Sequence, residues 1–416
     1  MGMLKGMLLP TTADWTEGAQ LGHPWQSLRA GVPIGTGSAL NVNTDYARHR
    51  LRGDRLRHLS PRSFSAASYP SSAVGYSQCD RCIKPPKTTL ESTTAPPQKP
   101  TNPTTMPLLT LDSGRVIAYE QDGDFKSNRV LLFFAGIFAI GSINYTFPVV
   151  KEKGLHHIAF TLPGWGDATP VPPSSTFAQT LIGDVTALFD HLYTDTSNLE
   201  IYVVGGSFGS VPAQIVYGAS FDVFPLGRKV AGMMLMAPFS PFRIHKSYAK
   251  TLCWRDWVSV GPLNQYLPIS SLLSLAMGSK FKTVDSAEQM LRPFLFDKMD
   301  EAEKEKFAAH CQKVGTTPDE FVKTWATGSV KSVENGWEGF KQCAAALHSD
   351  WGFTFPLDAD HARGKVVIKV AKGDDLGSGM GEYLAQNYVN AELLTCEGGH
   401  ISGIYTLNED ITHLIS

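Results

Sequence analysis

Five residues constrain this chain more than any others: Gly205-Gly206-Ser207-Phe208-Gly209, a G-x-S-x-G run. Just before it, Leu199-Glu200-Ile201-Tyr202-Val203-Val204 is short, apolar and β-branched, the composition of a buried strand. Just after it, Ser210-Val211-Pro212-Ala213-Gln214-Ile215-Val216-Tyr217 predicts a helix with small residues in its first turn. Strand, tight turn, helix is the setting in which this pattern forms a nucleophile elbow. In so sharp a turn a Cβ two residues either side of the serine would clash, which reserves positions 205 and 209 for glycine. The turn pushes the Ser207 hydroxyl out beyond the sheet edge. The helix start behind it adds N–H donors and partial positive charge suited to a developing oxyanion. Any glycine turn between a strand and a helix can show the same letters. The rest of the chain must therefore supply a base, an acid and a second oxyanion donor.

Strands and helices alternate from residue 108 onward. Two short apolar runs, residues 108–111 and 115–119, are split by Asp112-Ser113-Gly114 and predict a hairpin that opens a folded domain. Residues 130–135 and 157–161 read as buried strands. Leu181, Ile182, Val185, Leu188, Phe189 and Leu192 recur at helical spacing. Further strands are expected at 230–237, 366–370 and 391–395. Continuous apolar strands alternating with helices predict an α/β fold, a mostly parallel central sheet with helices on both faces. Residues 241–363 break the rhythm with several helical patterns and no good strand. Thr317-Pro318-Asp319-Glu320 is a helix start, with a cap residue, proline at the first position and acids in the first turn. The expected organisation is a core in two parts, residues 106–241 and 365–416, around a helical cap insertion at 242–364.

Residues 1–105 differ from the rest. They are rich in Ser, Pro, Thr, Gly and Arg, with a basic run from Arg48 to Arg62 and a Thr/Pro-rich stretch at 88–105. They read as a disordered or non-native N-terminal extension. An organelle-targeting extension and a true start at Met106 are the competing readings. No apolar h-region precedes Pro10, so no secretory signal is expected and a cytoplasmic location is the default. Residues 130–143 are too short an apolar run to span a bilayer, so no transmembrane segment is expected. The formal net charge of −2 over 416 residues provides no global field favouring nucleic acid or an anionic lipid surface. The six cysteines are scattered and read as free, mostly buried thiols. Cys79-Asp80-Arg81-Cys82 is a lone C-x-x-C without a second ligand pair, so no metal is expected.

His400 follows the last expected strand on the loop Cys396-Glu397-Gly398-Gly399-His400. A histidine on a Gly-Gly loop at the carboxyl end of a strand can reach a neighbouring active centre, and none of the other eleven has that setting. Asp374 and Asp375 follow the 366–370 strand. A carboxylate there would fix the histidine tautomer and stabilise the imidazolium. The loop after residues 230–237 holds no acid, which moves the choice to this pair. Distance from the strand favours Asp374, with Asp375 the alternative. The second oxyanion donor is expected from Ala135-Gly136-Ile137-Phe138-Ala139, with Ile137 N–H as candidate and Phe208 N–H as its partner.

Oxyanion loop, Ser, Asp, His, in that order, resembles the α/β-hydrolase superfamily from about residue 108 to the end. Ala135-Gly136-Ile137-Phe138 is similar to that family's His-Gly-x-Pro loop. Pro163-Gly164-Trp165-Gly166, Gly205 to Gly209, Gly373-Asp374-Asp375, Gly399-His400 and Trp351-Gly352-Phe353 also match. The chain departs from the family at Ala135 and Phe138, where His and Pro are usual, and in having no proline at the usual distance after Asp374. The resemblance implies acyl transfer to water through an acyl-enzyme on Ser207, with no metal or organic cofactor. A serine at the elbow argues against the epoxide hydrolases and haloalkane dehalogenases of the superfamily, which place an aspartate there. Leu252, Trp254, Trp257, Val258, Leu263, Tyr266, Leu267, Leu272, Leu273, Leu275 and Met277 make the first part of the insertion apolar, either as substrate pocket or as packing. No Arg/Lys cluster is seen for a charged substrate. The expected partner is a small apolar ester-like substrate, an ester or a lactone. Hydrolysis of a carbon–carbon bond next to a ketone and a non-catalytic ligand-binding role are the alternatives, and the oligomeric state is left open.

Overall fold

The computed structural model describes residues 106–416. The readings placed on residues 1–105, including the basic run and Cys79-Cys82, lie outside the described residues. Eight strands form one sheet: β1 Leu108–Thr110, β2 Val116–Gly123, β3 Arg129–Phe134, β4 His156–Phe160, β5 Glu200–Gly206, β6 Val230–Met236, β7 Lys365–Ala371 and β8 Ala391–Cys396. Their spatial order is β1-β2-β4-β3-β5-β6-β7-β8. β1 pairs antiparallel with β2, and β2 antiparallel with β4. Every later pair is parallel. The helices are α1 Pro148–Glu152, α2 Phe177–Leu192, α3 Ser210–Gly218, α4 Trp254–Val260, α5 Ile269–Met277, α6 Val284–Leu295, α7 Glu301–Lys313, α8 Pro318–Ser332, α9 Glu338–His348, α10 Gly379–Asn387 and α11 Leu407–Leu414.

The pleat sorts each strand's side chains between two cores. Val130, Leu132 and Phe134 of β3 join Leu181 and Val185 of α2 and Ile215 of α3 on one face. Leu131, from the same strand, joins Val149 of α1 and Leu407 and Ile411 of α11 on the other. Strands covered on both sides need the near-continuous apolar runs that the sequence displays. The expected hairpin and each expected strand are present. Residues 242–364 contain six α-helices and no strand, placed between β6 and β7. α8 starts as its sequence predicts, with Thr317 and Glu320 in a capping box and Pro318 at the first position. No described helix is long and apolar enough to cross a membrane. The described cysteines are free, Cys311 and Cys343 buried, Cys253 and Cys396 partly so.

β4 opens with two buried histidines, which no apolar strand pattern anticipates. The His156 ring nitrogens face Tyr193 Oη and Gln121 Oε1. His157 lies between Phe133 and Phe147, and neither of its ring nitrogens has a hydrogen-bond partner among the described residues. Burial pulls both rings down to about 4. Each is thus neutral in the fold at pH values where the unfolded chain, with an ordinary value of 6.5, is protonated. Between those values the unfolded state binds more protons, so stability falls as pH falls. His157→Phe suits the aromatic surroundings. It is expected to be at least as stable as wild type at about pH 7 and to lose less stability on going to about pH 5. Urea unfolding at both pH values measures this; a pH dependence identical to wild type would contradict it.

Candidate active site

β5 ends at Gly206, and a single 3₁₀ turn, Ser207–Gly209, leads directly into α3. A Cβ on Gly205 would lie 2.2 Å from the Gly209 carbonyl oxygen, and one on Gly209 would lie 2.1 Å from that of Phe134. No side chain fits either position. Ser207 has φ 51°, the left-handed region that non-glycine residues avoid. Among the described residues only Phe138 (φ 55°) and Ala237 (φ 43°) share that strain. All three line the same cavity of about 610 Å³, the clustering at a site that strained backbone commonly shows.

His400, on the loop after β8, places Nε2 3.0 Å from Ser207 Oγ. Its Nδ1 is 2.9 and 3.0 Å from the two carboxylate oxygens of Asp374, on the loop after β7. A carboxylate only accepts, so Nδ1 donates to Asp374 and Nε2 is left to accept from the serine hydroxyl. Asp374 is buried and also accepts from Leu376 N–H at 2.9 Å. Burial lowers the His400 pKa, but the Asp374 hydrogen bond and the charges of Asp374, Asp256 and Asp375 together raise it above the ordinary histidine value. Asp375, the other candidate acid, makes no hydrogen bond to the ring. Its carboxylate binds Arg255 of α4 at 2.6 Å and Lys298 at 3.0 Å. The Lys298 hydrogen bond, followed by that of Arg255, outweighs partial burial and holds the carboxyl below its usual range. Asp374 is therefore the acid that meets His400.

The loop after β3 runs against the serine. A Cβ on Gly136 would sit 3.3 Å from Ser207 Cβ. Ile137, at 41% exposure, and Phe208 both line the cavity. Ile137 N–H donates to no other described residue, which leaves it available to a ligand. Phe138, where the sequence departs from the family's proline, turns its ring into the helical insertion. It stacks on Phe281 at 4.6 Å and Phe340 at 5.1 Å between centroids, and meets Trp165 and Trp337 edge-on. That ring fixes the loop from outside, as a proline would fix it from within.

The insertion shares the apolar wall with the core, through Leu273, Met277, Leu291, Phe340 and Leu347 among others. Of the eleven apolar residues that mark its first part, six do something neither expectation covers: Trp254, Leu263, Tyr266, Leu267, Leu272 and Leu275 are exposed. Arg255 lines the cavity, but its charge is engaged by Asp375. No group of three or more His, Cys, Asp or Glu among the described residues is arranged to hold a metal ion.

One contact lay beyond sequence reasoning. Glu303 of α7, only 8% exposed, accepts from the Gly399 N–H at 2.9 Å and from the Tyr405 hydroxyl at 3.3 Å. Gly399 immediately precedes His400, so a carboxylate of the insertion fixes the histidine loop across 96 residues of sequence. No local pattern signals such a pairing. Glu303→Ala is expected to leave the Gly399 amide unsatisfied and raise its hydrogen-exchange rate by roughly tenfold or more, whereas Glu303→Gln keeps an acceptor and most of the protection. Exchange monitored on peptides covering the loop decides; equal rates in wild type and Glu303→Ala would count against the clamp.

The chain matches the model of the alpha/beta hydrolase family over residues 131–406. No curated protein matches it by sequence. Among solved structures, a hydrolase from Pseudomonas aeruginosa is 16% identical, with a TM-score of 0.51, over 76% of this chain and 100% of its own. An epoxide hydrolase from Vigna radiata is 17% identical, with a TM-score of 0.50, over 75% of this chain and 97% of its own. Likenesses at such identities speak for a common fold alone, and the eight-stranded, mostly parallel sheet is that fold. With two thirds of its length spanned by the family model, the chain belongs to the alpha/beta hydrolase family.

Proposed function

We propose that this hydrolase cleaves an apolar carboxylic ester or lactone through an acyl-enzyme on Ser207. The observation that carries the reading is the continuous hydrogen-bond chain from Asp374 through His400 to Ser207, at a cavity lined chiefly by apolar side chains. Ser207 Oγ attacks the carbonyl carbon while His400 Nε2 takes its proton. The carbonyl oxygen becomes an oxyanion, held by the Ile137 and Phe208 N–H groups. Collapse expels the alkoxide, which leaves with the proton returned by His400. Water, deprotonated by the same nitrogen, attacks the acyl-enzyme; the acid departs and Ser207 regains its proton. Asp374 keeps Nδ1 protonated and stabilises the imidazolium in both halves. Desolvation of an apolar chain against the helical insertion supplies binding, and no paired positive side chains are free there to favour an anionic substrate.

The test is hydrolysis of a p-nitrophenyl ester series, from acetate to long chain. Wild type is expected to be active, and Ser207→Ala to lose roughly 10⁴-fold or more. The chain-length optimum then sizes the cavity. Folded wild type inactive on every ester would overturn this reading and direct attention to carbon–carbon bonds next to ketones. The pH profile adds an independent check. The base must be neutral, so kcat/KM is expected to rise with pH through a midpoint above the ordinary histidine value of 6.5. Asp374→Asn removes the neighbouring charge, so the midpoint moves to lower pH while the rate at the plateau falls by roughly 10³–10⁴-fold. A midpoint that stays in place would argue against Asp374 as the group that tunes His400.

A further inference from the structure

The exposed large apolar side chains of the insertion are gathered rather than scattered. Trp254 (70%), Leu263 (42%), Tyr266 (80%), Leu267 (51%), Leu272 (59%) and Leu275 (80%) lie on α4, α5 and the connection between them, and α4 packs on α5. A single exposed leucine is ordinary; six such residues on touching elements make a patch that calls for a partner. α5 has two working faces. Leu273 and Met277 point into the cavity, whereas Leu272 and Leu275 point out.

Charge is segregated on the same segment. Residues 242–283 carry Arg243, Lys246, Lys250, Arg255, Lys280 and Lys282 against the single acid Asp256, in a chain whose overall balance is −2. Lys246 and Lys250 precede α4, and Lys280 and Lys282 follow α5, so basic residues flank the patch in sequence on both sides. All four are exposed and form no ion pair with a described residue. Between the last two, Phe281 is buried and stacked on Phe138, which anchors that end of the segment to the core.

We propose that this face of the insertion docks on an anionic lipid surface. Tryptophan and tyrosine carry a polar tip on an apolar body and settle at the boundary between headgroup and acyl chain, while leucines enter the acyl region. Flanking lysines supply the attraction to negative headgroups. A second copy of the chain fits less well, because a two-fold contact brings the same lysine-flanked segment against itself and opposes like charges. The docking does not depend on the chemistry at Ser207.

The experiment is co-sedimentation of the full chain with phosphatidylcholine vesicles, and with vesicles in which roughly a third of the lipid is phosphatidylserine. Binding to the anionic vesicles is expected. It is expected to fall by about tenfold or more in the Lys280→Gln/Lys282→Gln variant, and similarly in Leu272→Ser/Leu275→Ser. Both variants alter exposed positions, and circular dichroism checks their fold. Failure to bind anionic vesicles, equal binding to both vesicle types, or binding unchanged in both variants overturns the proposal. So does a wild-type dimer by size exclusion that Leu272→Ser/Leu275→Ser converts to monomer, which would assign the patch to a second copy.

Discussion

The approach of Gly209 to the Phe134 carbonyl oxygen is the contact on which the rest of the structure depends. It brings the end of β3, the end of β5 and the start of α3 into a space too small for a methyl group. Ser207 is thereby forced into the left-handed region and held beyond the sheet edge. The same closeness lays the loop after β3 beside the serine, with Gly136 against its Cβ. Helix start, serine and the loop after β3 are thus placed together by backbone sterics, before any side-chain contact is counted. The strained conformation is sustained because the strand ends and α3, both buried, leave the turn no room to relax.

Around that turn the insertion takes hold of three separate loops of the core. Phe138 of the β3 loop is stacked between Phe281 and Phe340. Gly399 of the β8 loop donates to Glu303. Asp375 of the β7 loop is bound by Arg255 and Lys298. The three contacts differ in kind: aromatic stacking, a charge-assisted hydrogen bond at a buried site, and a part-exposed ion pair. By ordinary magnitudes the last is the weakest, since exposed pairs contribute about 1 kcal/mol or less. Of these three, the buried carboxylate and the ring cluster therefore hold the insertion more firmly than the ion pair does.

Much of this was legible in the sequence, and the reasons are physical. The sheet could be read because strands covered on both faces must be apolar throughout, as residues 130–134 and 201–204 are. The elbow could be read because its glycines are required sterically. His400 and Asp374 could be placed because each follows a strand by a short glycine-containing loop, although only coordinates separate Asp374 from Asp375. Chain-wide charge concealed the basic segment around α4 and α5, because a sum over 416 residues erases local excess. The role of Phe138 was hidden as well. The partners that make it an anchor lie about 140 to 200 residues away in sequence. Glu303 was hidden for the same reason, as pairings between distant helices and loops leave no periodicity.

The Glu303–Gly399 bond has a consequence for how anything enters the cavity. An insertion joined to the core only by packing could swing aside as a rigid flap and leave the residues beneath untouched. Here such a swing would pull a buried carboxylate off the backbone amide next to His400, so raising the roof and misaligning the imidazole are one motion. Passage with the relay intact is thus confined to routes that spare α7. α7 is thereby the fixed jamb beside which any opening has to form.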